Sequence, residues 1–332
     1  MLRVAMLSFA HVHANGYARQ AINHPEAEVT YIWEDDADRG KTASETFNVP
    51  VSDDLDAVLG RDDVDAVIIN SYTSQHPWLI KEAVKYGKHV FTEKALAINL
   101  QDADEIVDVV NESGIKFMIS LPSRTRPESL FMRDVLDKGW LGDITLMRAR
   151  VAHGASLDHW FKGGSAWFAD AERAGGGALF DLGCHTVDVM RWFMGEPKSV
   201  ISKIQQFSDA YAIDDNSVIV VEFQSGALGI LDTSWVHRAG PNQMEIFGTS
   251  GYVGRDPHGG LLLRSTELEP EGIQGFISPA KLPDALPMPM EQWISAILHG
   301  TEMTITVEDG RNLTQLMEAA YKAAAEKHEV TF

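Results

Sequence analysis

The amino-terminal part of the chain alternates short apolar runs with amphipathic segments, and this alternation restricts the fold more than any other feature. The runs predict five strands, at 4–9, 28–33, 64–70, 89–92 and 116–121, and the segments between them predict helices at 13–23, 38–47, 53–59, 77–86 and 100–113. Strands that alternate with helices form a parallel, doubly wound sheet. We therefore predict an α/β fold whose first half is a Rossmann-type, nucleotide-binding sheet.

After residue 127 the pattern changes to longer alternating strands, followed by helices at 290–298 and 307–327. The strands are predicted at 145–152, 199–206, 216–223, 227–235 and 243–247. Short turns between them are typical of a largely antiparallel sheet with one open face. We predict an NAD(P)-binding domain at 1–121 and an α+β domain for substrate binding and oligomerisation at 122–332. Because an open apolar face needs a cover, we expect a homodimer or homotetramer.

Composition excludes several classes of partner. The formal net charge of −20 argues against nucleic acid and anionic membranes and favours a small-molecule substrate. No apolar run reaches the roughly 18 residues of a membrane helix. The single cysteine excludes an intramolecular disulfide and fits a reducing compartment, so we expect a cytoplasmic protein.

The segment 175–193 combines three glycines with a polar stripe in an otherwise apolar stretch. If it is a helix, Asp181, His185 and Asp188 lie on one face, at i, i+4 and i+7. A helix that is apolar on most sides is buried, so this stripe faces a polar partner or a cavity. Acid/base catalysis, a satisfied core pair and a shared metal ion are the three interpretations. Cys184 points away from the stripe, and we expect no metal site.

The turn after the first strand departs from the dinucleotide fingerprint Gly-x-Gly-x-x-Gly/Ala. No glycine occupies the aligned residues, which are Ser8, Phe9, Ala10, His11, Val12 and His13. Ser8 and Ala10 are small enough for a pyrophosphate to approach. His11 and His13 are candidates for phosphate contact, metal binding or loop packing.

Acidic residues follow the second strand, where an NAD-binding fold places the acceptor for the adenosine ribose. Glu34 is the candidate acceptor, and Asp35 and Asp36 would repel a 2′-phosphate. NAD is therefore favoured over NADP. A solvated acidic loop is the alternative interpretation.

Lys94 follows the strand 89–92, at the edge where open parallel sheets bind ligands. A lysine at this position can hold a substrate hydroxyl and stabilise negative charge as the proton leaves.

Five motifs together resemble the Gfo/Idh/MocA oxidoreductases, which include glucose-fructose oxidoreductase and inositol dehydrogenases. They are VDAVIINSYTSQH at 64–76, GKHVFTEKALA at 87–97, RTRP at 124–127, GGGALFDLGCHTVD at 175–188 and EIFGTSGYV at 245–253. The resemblance implies an NAD(P)-dependent dehydrogenase acting on a secondary hydroxyl of a sugar, polyol or inositol-like substrate. It also implies that Lys94, Asp181 and His185 are catalytic and that His76 lies near the nicotinamide. Ser71, Tyr72 and Glu93 complete the predicted cofactor site.

In the expected reaction His185 accepts the hydroxyl proton while hydride passes to the nicotinamide, and Lys94 steadies the developing alkoxide. Asp181 either orients the imidazole or binds a neighbouring hydroxyl. Candidate substrate contacts are Arg124, His153, Trp167, Asp170 and Asp188, with core packing the favoured role for Trp167.

Two other functions remain open. One is a nucleotide- or sugar-binding module without turnover, suggested by the altered first turn. The other is a metal-dependent lyase or hydrolase that uses His11, His13, His76 and His185.

The family motif Glu-Lys-Pro is Glu93-Lys94-Ala95 in this chain. Because a cis bond before a residue other than proline costs about 3–4 kcal/mol, we expect a trans Lys94–Ala95 bond.

Overall fold

A computed structural model describes residues 1–241, 243–256 and 259–332 of the chain. The chain divides into two compact units, each built from three segments. Unit 1 comprises Met1–Leu121, Phe161–Gly175 and Pro287–Gln315, and unit 2 comprises Pro122–Trp160, Gly176–Leu286 and Leu316–Phe332. The sequence division at 121/122 placed the second and third segments of unit 1 in the carboxy-terminal domain. That division stays a prediction about functional domains.

Unit 1 contains a six-stranded parallel sheet in the order β3-β2-β1-β4-β5-β6, as predicted for a Rossmann-type fold. Its strands are β1 (Leu2–Leu7), β2 (Ala27–Trp33), β3 (Val51–Ser52), β4 (Ala66–Ile69), β5 (His89–Thr92) and β6 (Phe117–Ile119). All four residues of β4 are fully buried. Successive apolar residues are what a strand covered on both faces requires.

The helices of unit 1 connect these strands or pack beside them. They are α1 (Ala14–Asn23), α2 (Ala37–Phe47), α3 (Leu55–Leu59), α4 (His76–Lys85), α5 (Leu100–Ser113), α7 (Ala171–Ala174) and α9 (Pro289–His299). Trp293 of α9 donates its indole N–H to the carbonyl oxygen of Lys116 (3.1 Å) and contacts the ring of Phe91. These contacts hold the segment that contains α9 against the edge of the sheet formed by β5 and β6.

Unit 2 contains an eight-stranded sheet in the order β13-β12-β11-β7-β10-β9-β8-β14. Its strands are β7 (Ile144–Ala152), β8 (Pro197–Gln205), β9 (Asn216–Phe223), β10 (Leu228–Ser234), β11 (Met244–Gly248), β12 (Gly251–Arg255), β13 (Leu261–Ser265) and β14 (Val330–Thr331). The β7–β10 pair is parallel and the other pairs are antiparallel, which confirms the predicted largely antiparallel sheet.

Two further helices belong to unit 2 alone, α6 (Pro127–Asp137) and α8 (Cys184–Met194). Helix α10 (Val307–Glu326) has its residues up to Gln315 in unit 1 and the rest in unit 2. Among the residues that the structure describes, none of the helices combines the length and apolar character needed to cross a membrane.

One face of the second sheet is buried and the other is accessible. In β9 the residues from Ser217 to Phe223 alternate, so that Ile219 and Val221 are fully buried whereas Val218 is 45% exposed. Ile201 of β8 and Leu228 of β10 are also exposed. The sheet therefore has the open apolar face that the alternation predicted.

Candidate functional site

The turn after β1 has a backbone conformation typical of glycine at Ser8. Ser8 is fully buried and has φ 70°, in the left-handed region that glycine adopts most easily. Its hydroxyl oxygen lies 3.1 Å and 3.2 Å from the two carboxylate oxygens of Glu34. A hydrogen bond to Glu34 thus supports a backbone conformation that is unfavourable for a non-glycine residue.

Glu34 directly follows β2, and its carboxylate lies against the turn after β1. Its Oε2 accepts the backbone N–H of Phe9 (2.7 Å), and its Oε1 accepts from Arg39 Nη2 (2.6 Å) and from the N–H of Asp35 (3.1 Å). The side chain of Glu34 is fully buried. Glu34 therefore holds the first turn against the end of β2, and its contact with a ribose stays a prediction.

Arg39 was missed by the sequence reasoning, because one arginine on a polar helix face carries no signal. Besides Glu34, its guanidinium pairs with Asp35 (2.8 Å) and donates to the hydroxyl of Tyr72 (3.2 Å). Nearby lies a pocket of about 450 Å³, whose lining includes one cationic residue, Lys41, and five acidic residues, Glu34, Asp35, Asp36, Glu45 and Asp53. The guanidinium already serves two carboxylates, so this acidic surface disfavours a further phosphate.

Two imidazoles and a carboxylate meet between the first turn and the end of β5. Oε1 of Glu93 lies 2.7 Å from His13 Nδ1 and 3.7 Å from His11 Nδ1, and Oε2 accepts the N–H of Lys94 (2.9 Å). Burial alone would raise the pKa of Glu93, but the two imidazoles and the Lys94 ammonium hold this pKa well below its usual range. The carboxylate is therefore ionised in the folded protein.

The segment that contains Trp167 packs against this first turn within unit 1. Trp167 is buried, donates its indole N–H to the carbonyl oxygen of Ala10 (3.0 Å), and its ring contacts His11 and Tyr72. These contacts give Trp167 the packing role that its size favoured. Asp170 caps α7 by accepting the N–H of Glu172 (3.0 Å).

Two buried acceptor atoms lie at the carboxyl end of β4. His76 pairs its Nδ1 with the carbonyl oxygen of Ala95 (2.8 Å), which makes this nitrogen the donor and leaves Nε2 as an acceptor. His76 Nε2 and Asn70 Oδ1 are buried without a hydrogen-bond partner among the described residues. Ser71, which follows Asn70 in the chain, is fully buried, and its hydroxyl donates to the side-chain oxygen of Gln75. Unpartnered buried acceptors suit a ligand with amide or hydroxyl donors, which a nicotinamide nucleotide has.

Burial lowers the pKa of His76 from 6.5, so folding favours the neutral imidazole. The unfolded chain binds a proton below pH 6.5 that the folded protein does not, so stability falls as the pH drops below this value. We expect a loss of at most about 1.4 kcal/mol per pH unit relative to His76→Gln, until the lowered pKa is reached. Urea unfolding of both proteins between about pH 5 and 8 measures this difference. Stability profiles that run parallel across this range would contradict it.

Lys94 lies just beyond β5 and is buried, with 6% of its surface exposed. The Lys94–Ala95 peptide bond is cis, so the expectation of a trans bond was wrong. That expectation weighed only the intrinsic cost of the bond, which the surrounding structure overrides.

The glycine stretch of unit 2 is fixed by Asp214, which the sequence did not single out. Its carboxylate accepts the N–H groups of Gly177 (2.7 Å) and Leu179 (3.2 Å) and the hydroxyl of Tyr321 (2.9 Å). Its carbonyl oxygen also accepts the N–H of Ala178 (2.9 Å). Burial raises the pKa of Asp214, which these donors counteract. The buried carboxylate of Asp214 therefore anchors the start of the segment that carries Asp181 and His185.

The helix considered behind the three glycines of 175–193 is not α-helical throughout. A turn of π-helix occupies Leu179–Gly183, and the α-helix α8 begins at Cys184. A π-helical turn inserts extra backbone and rotates the side chains relative to the α-helical spacing. Asp181 and His185 are half-buried on either side of this junction, whereas most of their neighbours are buried.

Gly177→Ala is expected to lower the free energy of unfolding by about 1–3 kcal/mol or more, because the new methyl group has no space. Its Cβ would lie 1.9 Å from the carbonyl oxygen of Asp214, which is backbone and cannot rotate away. Gly164→Ala is the matched control, since its Cβ would meet nothing within 4 Å. Thermal unfolding of the two variants tests this difference, and equal losses would contradict it.

Arg124 and Asp188 form a buried ion pair within unit 2. Arg124 Nε lies 3.1 Å from both carboxylate oxygens of Asp188, and Nη2 lies 2.5 Å from Oδ1. Their side chains are 8% and 1% exposed. The sequence predicted that each residue contacts substrate, and this stays a prediction. The structure shows that the two side chains bind each other. His153, another candidate, is half-buried with its ring 4.7 Å from that of Trp160.

Both halves of the chain match models of one protein family. Residues 3–121 match the oxidoreductase family with an NAD-binding Rossmann fold, and residues 130–254 match the GFO/IDH/MocA C-terminal domain.

Similar proteins include two enzymes that act on sugar-like compounds by name. The 1,5-anhydro-D-fructose reductase of Ensifer adhaerens is 28% identical over 314 residues, which cover 92% of this chain and 91% of the reductase. The inositol 2-dehydrogenase of Rhizobium meliloti is 26% identical over 290 residues, or 83% of each chain.

The fold is shared with an oxidoreductase from Agrobacterium radiobacter, whose crystal structure contains NAD⁺, L-tartaric acid and magnesium. The TM-score is 0.83 at 21% identity, with 99% of this chain and 98% of that chain covered.

Proposed function

Because the chain belongs to the Gfo/Idh/MocA family of oxidoreductases, we propose that it oxidises a secondary hydroxyl group of a sugar, polyol or inositol-like substrate with NAD, or catalyses the reverse reduction. The match of both halves to one family carries this proposal. The names of the reductase and the inositol dehydrogenase support the class of substrate.

The cofactor site comprises the carboxyl ends of β1, β2, β4 and β5 in unit 1. When bound, the nicotinamide accepts hydride from the carbon that is oxidised. The predicted contacts are Ser8 to His13, Glu34, Asp35, Ser71, Tyr72, His76, Glu93 and Lys94. The unpartnered acceptors His76 Nε2 and Asn70 Oδ1 support binding of a donor-bearing ligand there. The acidic pocket beside Glu34 supports NAD over NADP.

We assign the proton transfer to His185 and the stabilisation of the alkoxide to Lys94. An imidazole exchanges protons readily near neutral pH, and an ammonium group stabilises an oxygen that becomes negative. Asp181 orients the imidazole or binds a neighbouring hydroxyl. The partial exposure of Asp181 and His185 within a buried segment supports their access to substrate.

The test is the absorbance of reduced nicotinamide after NAD is mixed with the protein and a panel of sugars, polyols and inositols. Growth of this absorbance with one class of compound supports the dehydrogenase. Binding of NAD without turnover across the panel, in either direction, would favour a binding module instead.

We also propose a cytoplasmic homodimer or homotetramer that covers the open sheet face of unit 2. Ile201, Val218 and Leu228 are 48%, 45% and 44% exposed on neighbouring strands, and covering them stabilises an assembly. Light scattering measures the mass, and Val218→Asp is the variant that separates the subunits. A monomeric wild type would refute this part of the proposal.

A further inference from the structure

A cluster of three potential metal ligands lies in unit 1, in the place of the missing glycine fingerprint. His11, His13 and Glu93 each offer one ligand atom, and these atoms lie within 4.8 Å of one another. Two of them come from a His-x-His pair in one turn, and the third comes from the neighbouring end of β5. The first turn and the end of β5 thus bring the three side chains together, and two of them are almost completely buried.

The separations suit a small divalent ion. Four ligands at zinc–nitrogen distances of about 2.0–2.1 Å in a tetrahedron are about 3.3 Å apart. Glu93 Oε1 is 2.7 Å from His13 Nδ1 and 3.7 Å from His11 Nδ1, and all three ligand atoms lie within 4.8 Å of one another, so rotations of the side chains can create this geometry. His11 Nδ1 also accepts the backbone N–H of His13 (3.2 Å), a hydrogen bond that gives way if this nitrogen ligates the ion. The proton that His13 and Glu93 now share would leave when the ion binds.

The surrounding residues hold the three ligands in place. The second oxygen of Glu93 accepts the N–H of Lys94, which orients the carboxylate. The ring of His11 packs against Trp167 and Phe168 at centroid distances of 5.9 Å and 5.2 Å. Such outer contacts orient the ligands of metal sites and raise their affinity.

The exposure of the three ligands and their number indicate which metal ion the cluster can bind. The side chain of His13 is 52% exposed, so an ion can enter from solvent, whereas those of His11 and Glu93 are almost completely buried. Two imidazoles and one carboxylate are borderline ligands that select Zn²⁺, Fe²⁺ or Co²⁺ over Ca²⁺ and Mg²⁺. Three protein ligands leave one position for water or for an oxygen atom of a ligand.

We propose that His11, His13 and Glu93 bind one divalent transition-metal ion of the zinc class, with an open position toward solvent. The proposal replaces the expectation of a site without metal, and it does not depend on the proposed dehydrogenase activity. The ion would place positive charge at the sheet edge where the fingerprint glycines normally present N–H groups to a phosphate.

The test is titration of the tag-free, chelator-treated full-length protein with Zn²⁺ by calorimetry, and with Co²⁺ by visible absorption. We expect about one ion per chain and cobalt absorption bands typical of nitrogen and oxygen ligands. Glu93→Gln and His13→Ala should each weaken binding by at least about tenfold. Circular dichroism of each variant confirms that it is folded before titration.

His299→Ala is the matched control. His299 is 50% exposed and its Nε2 lies 3.1 Å from Glu26, so it resembles the His13–Glu93 pair without a second imidazole. We expect this variant to bind Zn²⁺ as the wild type does. Failure of the wild-type protein to bind Zn²⁺ and Co²⁺, or equal binding by His13→Ala and His299→Ala, would overturn the proposal. Neither readout involves NAD turnover, so the metal site and the dehydrogenase can fail separately.

Discussion

Lys94→Met is expected to lower kcat/KM of the proposed dehydrogenase by about 10²–10⁴-fold, because it removes the charge that stabilises the alkoxide. Methionine keeps the length of the side chain, and Lys94 is buried, so packing around the stem is largely retained. Initial rates at saturating NAD, with substrate varied, measure the effect. Lys116→Met is the control, since Lys116 is exposed at the start of β6 and should retain wild-type rates.

His185→Asn is expected to lower kcat/KM within the same range, because it removes the proposed proton acceptor. In the proposed mechanism both groups act on the same hydroxyl, so the double variant is expected to lose far less than the product of the two single losses. Fully multiplicative losses, or a Lys94→Met variant with nearly wild-type kcat/KM, would contradict the shared role.

The parallel sheet could be predicted because most of its strands are apolar runs that alternate with amphipathic helices. The two-residue strand β3 was not among the predicted strands. The ends of strands were less predictable. The first strand was expected to continue to residue 9, but β1 ends at Leu7 because Ser8 adopts a left-handed conformation. Its apolar neighbour Phe9 contributes to the turn instead.

Parts of unit 2 were missed because their sequences carry weak periodicity. The strands β12 and β13 have five residues each, β12 includes two glycines, and β14 has two residues. Helix α6, which begins at Pro127, was also missed. The π-helical turn before α8 has no periodic signal, since it interrupts the helical spacing from which Asp181 and His185 were found.

The residues of the candidate site could be predicted where a short stretch of sequence places them at the end of a strand. The placement of Lys94 after β5 and Glu34 after β2 followed from strand ends, which the fold brings to one edge. The contacts of Asp214 with Gly177 and of Glu93 with His13 join positions that are far apart in sequence. No local pattern encodes these pairs, so they became visible only in the structure.

Breaking the Arg124–Asp188 pair is expected to have the largest effect on stability. Asp188→Leu leaves a buried guanidinium without its carboxylate, and we expect a loss of about 3–5 kcal/mol in the free energy of unfolding. Arg124→Met should cost a similar amount, since it leaves the carboxylate of Asp188, which is 1% exposed. Urea unfolding monitored by circular dichroism measures both losses.

The double variant Arg124→Met/Asp188→Leu separates the pairing from the predicted contact with substrate. If the two charges mainly compensate each other, the double variant should be more stable than either single variant, because no buried charge remains alone. Arg61→Met, at the exposed Arg61–Asp63 pair, should change stability far less. A double variant that regains stability but not turnover would assign the pair to substrate binding as well. Losses in unfolding free energy that simply add would show that the two side chains are not energetically coupled.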